Sequence, residues 1–234
     1  MERWHSRTPP PFGFVRVAWR RLPLSALLSV FSIRFFMKIA NLYAGIGGNR
    51  LFWGDDDEIT AVEKCPKIAA EYHRRFPTDT VVVGDAHEYL LDNFRLFDFI
   101  WASPPCQSHS RTNHFINNGV AKRPRYPDMT LYQEIIFLQS FFKGIWVVEN
   151  VVSYYTPLIP CQKIGRHQIW SNLKIPKIQM PPAEIGSMNK GWNTACKKPI
   201  FERNMCNPNL GLHIFNLAKG KKKRDEYQPN TLFS

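Results

Sequence analysis

The chain lacks the cysteine spacing of a zinc site: Cys65, Cys106, Cys161, Cys196 and Cys206 include no Cys-x-x-Cys pair. An odd count without disulfide-like spacing favours a reducing compartment, and no metal ligand set is expected. Long apolar runs are also missing, with no stretch reaching the roughly 18 residues that a membrane span requires. No internal repeat is visible, so a solenoid is excluded. Acidic residues are scarce, 19 against 31 lysines and arginines, for a formal charge of +12. The excess is uneven. Residues 1–36 hold six arginines and one glutamate, and Lys219, Lys221, Lys222, Lys223 and Arg224 form a second basic cluster. Only +4 remains for the body of the chain, so charge permits a polyanionic partner without demanding one.

What is present suits one α/β domain with a small appendage: 234 residues, 44% hydrophobic and 21% charged, enough to bury a substantial core. Residues 1–36 stand apart, being rich in Arg, Pro and Trp before the apolar run 22–31. A signal peptide would require a small-residue cleavage site, and none follows cleanly. Met37 is therefore read as the natural start, with residues 1–36 a non-native or disordered extension; an amphipathic extension and a targeting segment are the alternatives.

From Met37 onward strands alternate with helices. Strands are expected at 38–43, 59–63, 80–83, 97–101 and 145–149. Helices are expected through Leu51, Phe52 and Trp53, from Pro66 (with Ile68, Ala69, Tyr72 and Phe76 at helical spacing) and over 86–93. Another should follow a cap at Asp128, carrying Leu131, Ile135, Leu138 and Phe142, and a last short one should cover 210–218. Such alternation predicts a parallel sheet with helices on both faces. Periodicity fades beyond Ser153, which suggests a catalytic domain over 37–175 and a reduced C-terminal segment over 176–234.

Chemistry concentrates at the strand ends. Gly45-Ile46-Gly47-Gly48 follows the first strand and lets a ligand approach the backbone closely. Glu63 ends the second strand and Asp85 follows the third. In open α/β sheets ligands bind beyond the carboxyl ends of strands, where one carboxylate can take ribose hydroxyls and another an adenine amino group. The plain alternative is that both carboxylates cap helices. After the fourth strand Pro104-Pro105-Cys106-Gln107 presents a thiol in a turn stiffened by two prolines, as a nucleophile requires. Its pKa is expected to be lowered by the turn or a nearby base. A buried structural cysteine is the alternative. Glu149-Asn150-Val151 ends the fifth strand.

These pieces together resemble the cytosine-C5 DNA methyltransferase family. The matching stretches are 41–48, Val62-Glu63, Gly84-Asp85, Ser103-Pro104-Pro105-Cys106-Gln107 and Val148-Glu149-Asn150-Val151, in the family's order. The resemblance implies a Rossmann-like α/β fold that binds S-adenosylmethionine, with Tyr43, Ala44, Gly45, Gly47, Gly48, Glu63, Asp85 and Pro105 around it. It implies that Cys106 attacks carbon 6 of a flipped-out cytosine and that Glu149 protonates ring nitrogen 3. The partner would be DNA and the setting the cytoplasm of a prokaryotic or phage-infected cell. Arg111, Arg123 and Arg125 in the loop after Cys106 would contact phosphates, and His109 and His114 phosphate or base; a solvated loop is the alternative.

Two departures qualify the resemblance. The family's Gln-x-Arg-x-Arg strand is reduced here to Arg166-His167 within 162–172, both retained as catalytic candidates. Only 62 residues follow Asn172, less than a full target-recognition domain and returning helix need. Asn207-Pro208-Asn209-Leu210-Gly211-Leu212 is a loose candidate for the returning element, and the compact plan looks like that of small phage members. A monomer and a form whose partner supplies recognition both fit. A tRNA-directed relative, a catalytically silent nucleic-acid binder and a nicotinamide dehydrogenase are the competing functions. The dehydrogenase leaves Pro105-Cys106-Gln107 unexplained, and the tRNA branch's Cys-Phe-Thr tripeptide is absent.

Overall fold

The strand-helix alternation read from Met37 onward is realised as a seven-stranded sheet. The computed structural model describes residues 36–111, 113, 125–178 and 205–220. Its strands are β1 (Lys38–Leu42), β2 (Glu58–Glu63), β3 (Thr80–Val83), β4 (Phe99–Ala102), β5 (Ile145–Val151), β6 (Gln162–Ile164) and β7 (His167–Ser171). They lie in the order β3-β2-β1-β4-β5-β7-β6. The first five are parallel, and β7 runs antiparallel to both β5 and β6. The helices are α1 (Pro66–Arg75), α2 (Ala86–Asn93), α3 (Thr130–Phe141) and α4 (Pro208–Gly220). None among the described residues is long and apolar enough to cross a membrane.

The central strands are apolar almost throughout because both faces are covered. Alternate side chains go to opposite layers. Ile39, Phe99, Trp101, Val147 and Ile169 pack with Trp53 and with Leu210, Ile214, Phe215 and Ala218 of α4. Ala40, Leu42, Ile100, Ala102 and Val148 pack with Leu90 of α2 and with Leu131, Ile135 and Leu138 of α3. The C-terminal helix is thus part of the main core, with Trp53 stacked on Phe215 at 4.8 Å. Lys219 near its end pairs with the buried Asp57 at 2.6 Å, while Asp57 also accepts the Met37 N–H.

The structure differs from the expected elements in three places. Residues 49–53 form turns, not a helix, closed by the i to i−3 bonds Leu51 N–H to Gly48 O and Trp53 N–H to Arg50 O. The reason is Arg50, which is 1% exposed. Its guanidinium makes two bonds to Asp79 (3.0 and 3.1 Å) and one each to Asp55 and the Trp53 carbonyl (2.8 Å). These partners satisfy the buried charge and hold the segment in its turns. Second, the helix after the long loop begins at Thr130, with Met129 as cap; Asp128 instead accepts the Thr130 N–H at 3.0 Å. Third, the faded region past Ser153 contains the β6–β7 hairpin. Its strands are too short to show alternation, and its two-residue turn opens on Gly165 at φ +58°, the left-handed region such turns demand.

Candidate active site

The order 3-2-1-4-5 reverses the direction of winding between β1 and β4. In such sheets the loops that leave adjacent strands there diverge and open a crevice. At that point a cleft of about 820 Å³ is lined by the loop after β1, the ends of β2 and β5, the loops after β3 and β4, the β6–β7 turn and Met205-Cys206. Every residue expected to be catalytic or to hold the cofactor lines it except Gly47. Gly47 faces away, at φ +79°, and a Cβ there would lie 2.2 Å from the Phe76 ring. It allows the loop to pack on α1; it is not a cleft contact.

The two carboxylates already carry structural bonds. Glu63 accepts the Gly45 N–H (3.0 Å) and the Cys65 N–H (2.8 Å). Asp85 caps α2, accepting the His87 and Glu88 N–H groups at 2.9 and 3.3 Å. Lys64, 3.1 Å away, is the main cause that holds Asp85 below the usual carboxylate range, with the backbone bonds of His87 and Glu88 adding to it. The helix-cap alternative is therefore realised for Asp85. It does not exhaust either group, since a carboxylate has about four lone-pair sites. Tyr43 sits at φ 54° and donates its hydroxyl to Glu134. Burial, reinforced by Glu134, raises the Tyr43 phenol.

The thiol is held by its neighbours. Asn150 Nδ2 donates to the Pro104 carbonyl at 3.0 Å, and Ser103 N–H donates to Leu42 at 3.2 Å. Asn150 of the Glu-Asn-Val run thus ties the proline turn to β5. After Cys106 the chain turns back, with the His109 and Ser110 N–H groups on the Cys106 carbonyl, and Ser110 bridges to Ser153. His109 is 1% exposed, its Nδ1 2.6 Å from the Tyr155 hydroxyl. Of the two contacts expected, phosphate or base, its burial does not suit a solvent-side phosphate; the imidazole braces the loop from within and lines the cleft. Arg111 and Arg125 are exposed. His114 and Arg123, like residues 1–35 and the basic run 221–224, lie outside the described residues.

Burial pushes the Cys106 thiol up, and the negative charge of Glu149 adds to this, while Arg166 acts in the opposite sense. The surroundings of Cys106 thus act opposite to the expected lowering. A half-buried thiol facing a carboxylate keeps its proton. Glu149 itself is 6% exposed. Its Oε2 accepts the Ser103 hydroxyl at 3.1 Å, and Ser103 in turn accepts the Trp101 indole N–H at 2.9 Å. Its Oε1 lies 2.5 Å from His167 Nδ1. Arg166 does not bond Glu149; it donates to the Met205 carbonyl at 3.2 Å.

The family model described as C-5 cytosine-specific DNA methylase matches residues 37–153, half of the chain. The chain belongs to this family. It is a family of S-adenosylmethionine-dependent methyltransferases. Three solved structures are similar over part of their length. A methyltransferase dependent on that cofactor from Agrobacterium tumefaciens is 14% identical, over 55% of this chain and 43% of that one, with a TM-score of 0.39. A putative DNA modification methyltransferase from an Escherichia coli prophage is 19% identical over 51% and 33%, with a TM-score of 0.35. A DNMT2 mutant from Spodoptera frugiperda is 28% identical over 49% and 35%, with a TM-score of 0.34. The chain therefore spans less than half the length of each. No curated protein matches.

Several residues that line the cleft or stand behind its wall were not legible as site residues. Ser103 lay inside the motif but without a role. Glu134 had a signal: it is the single charged residue in α3. Met205 and Cys206 had none. They reach the cleft because α4 folds back onto β1 and β4, so closely that a Cβ on Gly48 would meet Met205 Cγ at 2.2 Å.

Proposed function

We propose that the chain transfers a methyl group from S-adenosylmethionine to carbon 5 of cytosine in DNA, through a covalent adduct of Cys106 with a flipped-out base. The observation that carries this is the meeting of Cys106 and Glu149 in one cleft, close enough that the carboxylate's charge acts on the thiol. A cytosine is a poor nucleophile at carbon 5 until a thiolate adds at carbon 6. That addition needs a proton on ring nitrogen 3, and Glu149 is the acid available.

The cleft fits the cofactor. Its walls offer the backbone of Tyr43, Ala44, Gly45 and Gly48, the residual acceptor sites of Glu63 and Asp85, and the ring of Pro105. The segment Met205-Cys206 closes the cleft over Gly48. When bound, S-adenosylmethionine supplies an electrophilic methyl group. The protein's own groups do the rest. Ser103 and His167 hold the two oxygens of Glu149 in place. As the base enters, the proton leaves Cys106 and arrives, by way of Glu149, on ring nitrogen 3 while the sulfur–carbon 6 bond forms. Glu149 relays this proton and is a carboxylate again once nitrogen 3 holds it, by which time the sulfur is bonded to carbon 6. Once the methyl group is on carbon 5, a base takes the carbon 5 proton, nitrogen 3 returns its proton by way of Glu149 to Cys106, and the sulfur–carbon 6 bond breaks as the carbon 5–carbon 6 double bond reforms.

DNA containing 5-fluorocytosine provides the test, because fluorine cannot leave as a proton does. With S-adenosylmethionine, wild type is expected to accumulate as a covalent adduct and Cys106→Ser is not. Cofactor binding without any adduct on mixed-sequence DNA sinks the proposal. An adduct formed with tRNA alone transfers it to the RNA-directed branch.

A further inference from the structure

The one charged side chain of α3, Glu134, is completely buried. A buried acid is costly unless its polar atoms are used, so the groups that meet it define its role. Among the described residues two polar side chains do so. The Tyr43 hydroxyl donates to Oε1, and His87 Nδ1 lies 3.6 Å from the same oxygen. Tyr43 belongs to the loop after β1 and His87 to the first turn of α2. Both line the cleft, and Glu134 stands behind them without lining it. We propose that Glu134 is a positioning residue for S-adenosylmethionine binding, which holds the Tyr43 ring as a fixed part of the cleft wall.

The backbone shows independently that this ring is held. Among the described residues Tyr43 is the one non-glycine at positive φ, 54°, a conformation that a bulky residue keeps only when its surroundings compel it. On the β2 side the loop is anchored by its main chain: Ala44 N–H donates to the Val62 carbonyl at 3.0 Å and Gly45 N–H to Glu63 at 3.0 Å. On the α3 side the Tyr43 hydroxyl reaches across 91 positions of sequence to Glu134. The ring also packs on the core between the sheet and α2 and α3, but apolar contact is non-directional, whereas the hydrogen bond fixes where the ring ends. Burial, with Asp85 and Asp128 adding to it, raises Glu134 to about 8. Near pH 7 the side chain is therefore mostly the neutral acid, and glutamine reproduces both its shape and the acceptor that Tyr43 uses. The inference rests on the placement of the cofactor in this cleft and not on methyl transfer.

Calorimetric titration of the full chain with S-adenosylmethionine at pH 7 provides the test. Glu134→Leu, which keeps the volume and removes the acceptor, and Tyr43→Phe are each expected to bind about fivefold more weakly than wild type, the worth of one net hydrogen bond. The double variant should be no weaker than the weaker single one, because both lose the same interaction. Glu134→Gln should stay within about twofold of wild type. A merely structural role would lower the urea midpoint of Glu134→Leu and leave the affinity of the folded protein unchanged, and that result overturns the proposal. So does a Glu134→Gln as weak as Glu134→Leu, or losses that multiply in the double variant. Where Glu134→Leu does not fold, Tyr43→Phe alone must show the loss. Wild type that binds no S-adenosylmethionine overturns the cofactor's place in the cleft and the inference with it; wild-type binding with unchanged variants overturns the inference alone.

Discussion

Replacing Glu134 with glutamine is expected to flatten the pH dependence of folding stability. Glu134 is fully buried behind the cleft wall, where Oε1 accepts the Tyr43 hydroxyl and His87 Nδ1 lies 3.6 Å away. Burial, with Asp85 and Asp128 adding repulsion, pushes its pKa up to about 8, against the opposing Tyr43 hydrogen bond. Its Oε2 has no partner among the described residues and is the natural seat of the retained proton. In the unfolded chain a glutamate titrates near about 4.3. The folded state therefore binds the proton more tightly. The stability linked to it is complete below the unfolded value, falls as pH rises above it, and is lost once pH passes the folded value. Each pH unit in that window corresponds to about 1.4 kcal/mol. Between about pH 5.5 and pH 7.5 wild type should lose roughly 2–3 kcal/mol relative to Glu134→Gln, whose amide does not titrate. Urea unfolding of both proteins across that range measures the difference directly. A gap that stays constant with pH would show that Glu134 is ionised in the folded protein and would refute the reasoning.

Other perturbations test the neighbouring links. Asp79→Ala leaves the buried Arg50 with the exposed Asp55 as its remaining counter-charge and Tyr72 without its acceptor, so unfolding free energy should drop by about 2–4 kcal/mol in the same urea assay. Gly48→Ala places a Cβ 2.2 Å from Met205 Cγ and 2.7 Å from the Cys206 carbonyl. It should cost about 1–3 kcal/mol and weaken S-adenosylmethionine binding in calorimetry; unchanged affinity would mean that the C-terminal segment does not close the cleft. Glu149→Gln removes the charge that adds to the raising of the Cys106 thiol. Cys106 should then react faster with iodoacetamide at fixed pH, read peptide by peptide in a mass spectrometer, although methyl transfer falls.

Much of the sheet was legible because its signals are local. The β1, β2 and β3 runs, Pro66 at a helix start and Asp85 before α2 are written within a few residues of the structure they specify. The misses were also physical. Leu51-Phe52-Trp53 looks helical until Arg50 finds Asp79 across the fold. The β6–β7 hairpin is too short to carry a period, and the turn at Gly165 declares itself only through its left-handed φ. His109 read as a surface contact because nothing nearby in sequence announces Tyr155.

The sequence by itself determined the chemistry on offer: a thiol in a proline turn, a carboxylate at the end of a strand, a glycine loop and two further acids, each spelled by adjacent residues. Only the tertiary structure decided how those groups act on one another. It buried Cys106 and set Glu149 beside it, so that the thiol is raised. It turned Gly47 away from the cleft and gave Asp85 a helix to cap. It brought Cys206 beside Glu149 and His167 from the far end of the chain. Local pattern follows from backbone geometry over a few residues. Proton affinities and side-chain partners depend on burial and on charges brought close by packing, and sequence separation does not encode those distances.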